Sequence, residues 1–201
     1  MSRTLLVVLV VLALFLLLGL GLAGFAASGY NRFVALDEQV SAAWSQVETS
    51  YQRRMDLIPN LVQTVKGVAG FEKEAYTAVA EARARAGQVT LSPQLLSDPG
   101  AFAKFQQAQG ELSSALSRLL VTVERYPQLK ANENFRDLQT QLEGTENRIA
   151  VARKRYNDTV KAYNTAVRRF PGRLLAALFG FQSRPYFEAD QGAENAPKVE
   201  F

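Results

Sequence analysis

Side chains that most enzymes use for acid–base and thiol chemistry are missing from this sequence of 201 residues. It contains no histidine and no cysteine, which excludes the usual general base, thiol nucleophiles, disulfides and histidine-bound zinc or haem. A di-metal site in a four-helix bundle needs Glu-x-x-His pairs, so Glu143 and Glu146 are interpreted as solvated or capping residues. No Ser-x-x-Lys motif occurs. The sequence therefore predicts no enzyme activity, no catalytic residue, no cofactor and no metal.

A cluster of charges precedes Pro59. Arg53 and Arg54 stand close to Asp56 along the chain. Free amide groups at the start of a following helix would attract an anion there, whereas an Arg–Asp pair would hold two helices at a corner. The second interpretation is favoured, so Arg53, Arg54, Asp56 and Pro59 are predicted to form a structural corner.

Two asparagines, Asn157 and Asn164, lie seven residues apart, and each follows a tyrosine. Polar residues at that spacing either set the register of a helical seam or face solvent, and both interpretations stay open. Arginines and lysines are frequent between positions 148 and 169, but no nucleic-acid recognition motif accompanies them. They are interpreted as a solvated face, and no nucleic-acid partner is expected.

The N-terminal region is apolar. From Leu5 to Ala27 there is no charged residue, and about 20 apolar residues suffice for a helix to cross a bilayer. Because signal-peptide apolar cores are shorter, about 7–15 residues, an uncleaved transmembrane anchor over 5–27 is predicted, after a tail of residues 1–4. Gly19, Ala23 and Ala27 form a small-residue stripe that would allow two such helices to associate.

Beyond the anchor, apolar residues recur at alternating spacings of three and four, which is typical of helices packed in a left-handed bundle. The clearest stripe runs from Phe102 through Leu116 to Val123, and another runs from Leu142 to Val167. Breaks fall at prolines and glycines. The predicted fold is all-α: a transmembrane helix followed by an antiparallel up-and-down four-helix bundle at 30–181.

Pro59 leaves the first part of that bundle undecided. Proline is tolerated in the first turn of a helix, so a turn before Pro59 is favoured, with helices at 31–56 and 59–86. However, the apolar stripe stays in phase from Tyr51 through Ile58 to Val65. The alternative is therefore one long, kinked first helix in a three-helix arrangement.

The returning end of the fourth helix combines arginines with an apolar run. With an even number of antiparallel helices, the residues near 170 lie close to the bilayer. Arginines there would face headgroups while leucines and phenylalanines reach the acyl chains. The alternative is that 174–181 only closes the bundle. The predicted membrane-surface contacts are Arg168, Arg169, Arg173, Leu174, Leu175, Leu178 and Phe179.

The last 20 residues, 182–201, have no helical stripe and are predicted to be an extended tail. The tail ends in Val199, Glu200 and Phe201. An apolar-x-apolar carboxyl terminus is the kind of ligand that strand-addition domains capture. These three residues are the predicted partner tail.

Six blocks of the sequence are distinctive enough to compare with known families. They are YNRFV (30–34), AWSQV (43–47), QRRMDLIPN (52–60), FQQAQGELSSALSRLL (105–120), ANENF (131–135) and LEGTENRIAVARKR (142–155). These blocks resemble the LemA family of bacterial membrane-anchored proteins. The resemblance covers essentially the whole chain and implies a single-pass membrane protein with a helical-bundle domain. It implies no enzymatic activity and no cofactor.

Two functions follow from these patterns. The first is a membrane-surface scaffold or self-assembling module in the bacterial inner membrane, with the lipid bilayer and further copies of itself as partners. The second is an adaptor that presents its C-terminal tail to a membrane or envelope protein.

Overall fold

The computed structural model describes residues 3–89 and 93–188, and those ranges contain helices, turns and extended coil but no strand. The all-α fold predicted from the apolar periodicity is thus confirmed. The helices are α1 (Arg3–Lys66), α2 (Lys73–Gly87), α3 (Pro99–Val123), α4 (Pro127–Lys130), α5 (Glu133–Arg168) and α6 (Gly172–Phe179), with a 3-10 turn at Pro93–Ser97.

The first part of α1 stands outside the bundle. With 64 residues, α1 is roughly 95 Å long at 1.5 Å per residue. Large apolar side chains along its N-terminal part are open on all sides, from Leu5 (49% exposed) through Phe15 (68%) to Leu22 (62%). Within the described ranges, α1 is the helix that is long and apolar enough to cross a membrane. An apolar rod with no protein around it is the form expected of a transmembrane anchor.

The rest of α1 packs with α2, α3 and α5 in alternating directions. At the end far from the anchor, Lys66 lies over the ring of Tyr76 at 5.2 Å, so α2 runs back along α1. Two ion pairs show that α3 runs antiparallel to α2. Glu72, just before α2, pairs with Arg125, just after α3 (2.6 Å), and Arg85, near the end of α2, pairs with Glu111 in the middle of α3 (3.2 Å). α5 runs antiparallel to the part of α1 inside the bundle. Tyr163, near the end of α5, shares a core with Val40, and Phe135, near the start of α5, shares a core with Val65.

The predicted turn at Pro59 is wrong, and the alternative of a long first helix is right. α1 continues through Pro59 to Lys66, and the chain reverses at residues 67–72. The apolar stripe explains this result, since Tyr51, Ile58 and Val65 all lie in the buried core. The four antiparallel segments are retained because Gly67 and Gly70, rather than Pro59, mark the reversal.

A specific contact compensates for the proline inside α1. Proline has no N–H, so the carbonyl four residues earlier, that of Met55, loses its helical donor. The Nε of Arg83 on α2 donates to this carbonyl at 3.0 Å. The two helices are thus joined at the one carbonyl that Pro59 leaves free.

We expect Arg83→Ala to destabilise the bundle by about 1–3 kcal/mol, because the partly buried Met55 carbonyl then lacks a donor. Thermal unfolding of the full chain in micelles, followed by circular dichroism, measures this loss. In a Pro59→Ala background the new backbone N–H can bond to Met55, so the same substitution should have a smaller effect. Equal losses in both backgrounds would contradict the proposed role of Arg83.

Two hydrophobic cores fill the bundle. The anchor-side core surrounds Trp44 and Tyr156, and the distal core surrounds Leu61 and Leu119. The predicted stripe of α3 is confirmed, since Phe102, Leu116 and Val123 are buried in these cores. α2 contributes to the distal core but not to the anchor-side core, which leaves room beside α1 and α5 in the half nearest the anchor.

Leu116→Ala should destabilise the protein by roughly 2–5 kcal/mol, because it leaves a cavity in the distal core. Lys130→Ala, at the end of the short helix α4, should have almost no effect, since Lys130 is exposed and pairs on the surface with Glu124. Denaturant unfolding of both variants checks the assignment of the α3 face. Similar unfolding midpoints would show that the face is misassigned.

Candidate functional site

The helix α6 lies across the end of the bundle next to the anchor. Its Phe179 ring is 5.1 Å from that of Tyr30, and Phe181 is 5.2 Å from Phe33. Both partners belong to the turns of α1 that directly follow the anchor. α6 is therefore held beside the point at which α1 leaves the apolar segment.

Close approach between backbones brings α6 into this position. Gly172 begins the helix against the carbonyl of Ala166, at a place where a Cβ would collide with that carbonyl. At the other end, Gly180 caps α6 with a φ of 78°, a left-handed conformation that favours glycine. These two glycines allow the chain to fold back under α5 and then to leave α6 in an extended form.

One face of α6 is covered and the other is open. Ala176 is buried, and Leu175 packs partly buried against Gly29. In contrast, Leu174 is 63% exposed and Leu178 is 73% exposed. The helix thus closes the bundle with one face and leaves an apolar face uncovered beside the anchor, which combines the two alternatives drawn from the sequence.

Arginines surround this open apolar face. Arg168, Arg169 and Arg173 are exposed, and none of them forms an ion pair within the described ranges. Phe170 stands among them with 80% of its surface exposed. The predicted membrane-surface residues therefore lie together at the anchor end of the bundle, and two of them, Leu175 and Phe179, also contact α1.

The two asparagines have a function that sequence reasoning missed. After Gly180 the chain runs extended to Glu188 beside α5. Asn164 accepts from the backbone N–H of Arg184 (2.8 Å) and donates to its carbonyl (2.9 Å). Asn157 makes the same pair of bonds with Phe187, both at 2.9 Å. Each side-chain amide therefore replaces the neighbouring strand of a sheet; we call this pair the asparagine clamp.

The spacing of the clamp follows from helix and strand geometry. Seven residues of a helix span about 10.5 Å, and three residues of an extended chain span about 10 Å. Asn157 and Asn164 can therefore bind residues 187 and 184 at the same time. The repeated Tyr-Asn pair was the available signal, but its interpretation requires knowing that an extended segment lies alongside.

Side chains of the extended segment fill two sites on the bundle. The guanidinium of Arg184 binds both carboxylate oxygens of Asp37 at 2.9 and 3.1 Å and also donates to Ser97. Phe187 is buried among aromatic rings, 4.9 Å from Phe102 and 5.4 Å from Tyr156. These contacts fasten the segment in the space that α2 does not reach.

Tyr156 of α5 also binds the extended segment. Its hydroxyl donates to the carbonyl of Pro185 at 3.0 Å. Burial raises the pKa of Tyr156 well above the usual range, although the positive charge of Arg184 opposes this shift. The hydroxyl consequently stays protonated, and so able to donate, throughout the neutral pH range.

The predicted structural corner is wrong, because α1 does not turn there. Arg54 is 1% exposed and lies inside the bundle between the two cores. It donates to Gln109 on α3 and to Ser113 (2.8 Å), and it pairs with Glu146 of α5 at 3.0 Å. Asp56 instead accepts from Gln52 at the surface. The signal available in the sequence is that Arg54 falls on the buried stripe between Tyr51 and Ile58.

The described residues contain no group of three or more acidic side chains arranged to hold a metal ion. The predicted partner tail, Val199, Glu200 and Phe201, lies outside the described residues. The described residues form two candidate binding features. One is the apolar and basic end of the bundle beside the anchor, and the other is the clamp that holds the extended segment. Both are suited to binding surfaces or chains.

Comparison with known proteins shows the family of this chain. Residues 43–201 match the profile of the LemA family. The chain belongs to the LemA family. The predicted resemblance is thereby confirmed, and the matched range of this chain contains the clamp asparagines, the buried Arg54 and α6.

Magnetosome proteins are among the relatives. The chain is 29% identical over 175 residues to magnetosome protein MamQ 2 of Paramagnetospirillum magneticum, and 30% identical over 174 residues to MamQ of Magnetospirillum gryphiswaldense. Each alignment covers 79% of this chain and 64% of the relative. Protein LemA of Metamycoplasma hominis is 20% identical over 89% of this chain and 78% of its own length. The chain thus spans slightly less than two thirds of the MamQ proteins, and its long apolar helix agrees with a membrane-associated protein.

Proposed function

We propose that this LemA-family protein is a non-enzymatic scaffold on the surface of the bacterial inner membrane, anchored once and held against the bilayer by α6. The observation that carries the proposal is the uncovered apolar face of α6, Leu174 and Leu178, directly beside the transmembrane part of α1. A face of this kind is unfavourable in water and favourable at the boundary between headgroups and acyl chains.

The positive charges next to this face also favour contact with the membrane. Arg168, Arg169 and Arg173 have no ion-pair partner in the described ranges, and each cation near an anionic leaflet contributes on the order of 1 kcal/mol. Contact through α6 in addition to the anchor would fix the tilt of the bundle. A rigid body with a fixed tilt on the membrane is what a scaffold requires.

Self-association is part of this proposal. Gly19 lies on a part of α1 where no atom of the protein comes within 4 Å of an added Cβ. The small-residue stripe Gly19, Ala23 and Ala27 is therefore free to contact the anchor of a second copy. Cross-linking in native membranes, with identification of the attached chains, tests whether copies associate.

The membrane contact is tested by the depth of single labels, which is simple because the chain has no native cysteine. Leu178→Cys and Val121→Cys, 73% and 71% exposed, are labelled with an environment-sensitive dye in the full chain in nanodiscs. We expect quenching by lipids with a nitroxide near the headgroup at position 178 and none at position 121. Equal quenching at both positions, or none at 178, contradicts the proposal.

The clamp favours a second function, an adaptor that presents the end of its tail. Backbone atoms of Glu188 bind the side chains of Gln106 and Arg153 at 3.0 and 2.8 Å, so the chain after Glu188 starts from a defined place on the bundle. Cross-linking of the full chain and of a chain that ends at Glu188 distinguishes the functions. An adaptor loses its protein partner on truncation, whereas a scaffold retains its contacts with other copies and lipid.

A further inference from the structure

A groove opens on one flank of the α1–α5 pair, at the anchor end of the bundle. It has a volume of about 380 Å³ and is lined by both helices. Leu36, Ala162 and Ala166 form its apolar part. Asp37, the neighbour of Leu36 in α1, binds Arg184 of the extended segment. Since adjacent helical residues point about 100° apart, the groove and the clamped segment lie on different flanks of α1.

The charge of this groove is predominantly positive. Arg32, Lys161 and Arg169 line it, and none of these cations has an ion-pair partner in the described ranges. The single acidic residue in the lining, Asp158, is already paired with Lys154 at 2.8 Å. Three free cations around a concave site favour an anion, and Thr165 adds a hydroxyl that can donate a hydrogen bond.

The position of the groove along α1 determines which anion it meets. Arg32 lies five residues beyond Ala27, so it is about 7.5 Å above the end of the apolar run. The headgroup layer on each side of a bilayer is roughly 5–8 Å thick, which puts Arg32 at its outer limit. Arg169 is at the end of α5 that returns to the anchor. Lys161 lies about two helical turns above Arg169, roughly 12 Å, in the upper part of the groove.

From these observations we propose that the α1–α5 groove binds the phosphate and headgroup of an anionic phospholipid. The phosphate lies between Arg32 and Arg169, and the rest of the headgroup extends up the groove toward Lys161. This inference rests on the proposed function in that the anchor end must face the bilayer. It adds a site of defined chemistry, separate from the apolar face of α6.

The test is native mass spectrometry of the full chain in a neutral detergent, with acyl-matched phosphatidylglycerol and phosphatidylcholine added in equal amounts. We expect the parent to retain the anionic lipid preferentially. The double variant Arg32→Gln/Lys161→Gln should lose about thirtyfold of this preference, roughly fivefold for each cation removed. Arg169 is left unchanged because it also borders α6.

A matched control removes the same charge from the same bundle. Arg136→Gln/Arg148→Gln changes two exposed arginines of α5 that lie at least about 20 Å farther from the membrane end than Lys161, and it should retain the preference of the parent. An equal loss in both double variants would overturn the proposal, because it would show attraction by net charge alone. Competition by inorganic phosphate at the same concentration as the lipid would likewise overturn it in favour of a free-phosphate site.

The two proposals fail in distinguishable ways. If the lipid preference does not respond to Arg32→Gln/Lys161→Gln while the dye at position 178 is quenched, the groove proposal is wrong and the surface contact of α6 stands. If the dye is not quenched but the groove variant loses its preference, the contact through α6 is wrong and the headgroup site stands.

Discussion

Arg54→Ala is expected to reduce the free energy of unfolding by about 3–5 kcal/mol, an effect as large as breaking a buried ion pair. The substitution removes a side chain that is 1% exposed, leaving a cavity between the two cores. It also takes the hydrogen-bond partner from the side chains of Gln109 and Ser113. Buried polar groups without partners are destabilising by about 1–3 kcal/mol each. Urea unfolding of the full chain in micelles measures the effect.

The neighbouring arginine provides the control. Arg53 is exposed, so Arg53→Ala removes the same charge from the same turn of α1 and should change stability by about 0.5 kcal/mol or less. A comparable loss in both variants would show that charge rather than burial determines the effect, and it would contradict the interior position of Arg54.

Arg54 and its partners Gln109, Ser113 and Glu146 form a polar layer between the two cores. A second variant distinguishes the contribution of this layer to stability from its role in setting the register of the helices. Arg54 lies between the anchor-side and distal cores, and its Nε has no partner within the described ranges. Replacing buried polar partners together by apolar residues is often neutral or stabilising. Arg54→Leu/Gln109→Leu should therefore recover most of the stability that Arg54→Ala loses. If it does, we infer that the layer is retained to align α1 with α3 and α5 rather than to stabilise the bundle.

The helical stripes could be predicted from the sequence because burial repeats with the period of the helix. Phe102, Leu116 and Val123 were predicted to line one face of α3, and all three are buried. The apolar segment at 5–27 was visible for a different reason, since it is an uninterrupted run long enough to cross a bilayer. The resemblance of the quoted blocks to the LemA family was also recognisable from the sequence alone.

Features that depend on contacts between distant segments could not be predicted in this way. Pro59 was assigned to a turn because nothing nearby in the sequence shows that Arg83 supplies the missing donor to Met55. Arg54 was assigned to a structural corner because Asp56 stands close to it along the chain, whereas its actual partners on α3 and α5 are distant in the sequence. In both cases the partners are 28 or more residues away.

The double variant Asn157→Ala/Asn164→Ala is expected to release the extended segment from the bundle and to reduce stability by about 2–4 kcal/mol. The backbone N–H and carbonyl groups of Arg184 and Phe187 lose the partners that the clamp provides. Those groups then regain hydrogen bonds from water only if the segment leaves its site. Release also exposes Phe187, which is 5% exposed when bound, and the aromatic rings around it.

Hydrogen exchange measured on the segment 181–188 reports this release directly. The amides of Arg184 and Phe187, which donate to the clamp in the parent, should exchange at least about thirtyfold faster in the double variant, because opening then requires roughly 2–4 kcal/mol less. Thr165→Ala, an exposed position next to Asn164, serves as the control and should leave both rates unchanged. Unfolding curves of the same samples give the accompanying change in stability.

Phe187→Ala tests whether the clamp and the aromatic site act together. This variant keeps both asparagines but removes a ring that contacts Trp44, Phe102 and Tyr156, and a buried phenylalanine contributes about 3–5 kcal/mol. If the segment binds as one unit, the amide of Arg184 loses its protection as well, although its own partner Asn164 is intact. Protection at Arg184 that survives in Phe187→Ala would mean that the two bonds of Asn164 hold that residue alone, and the segment would then be fastened at two independent points.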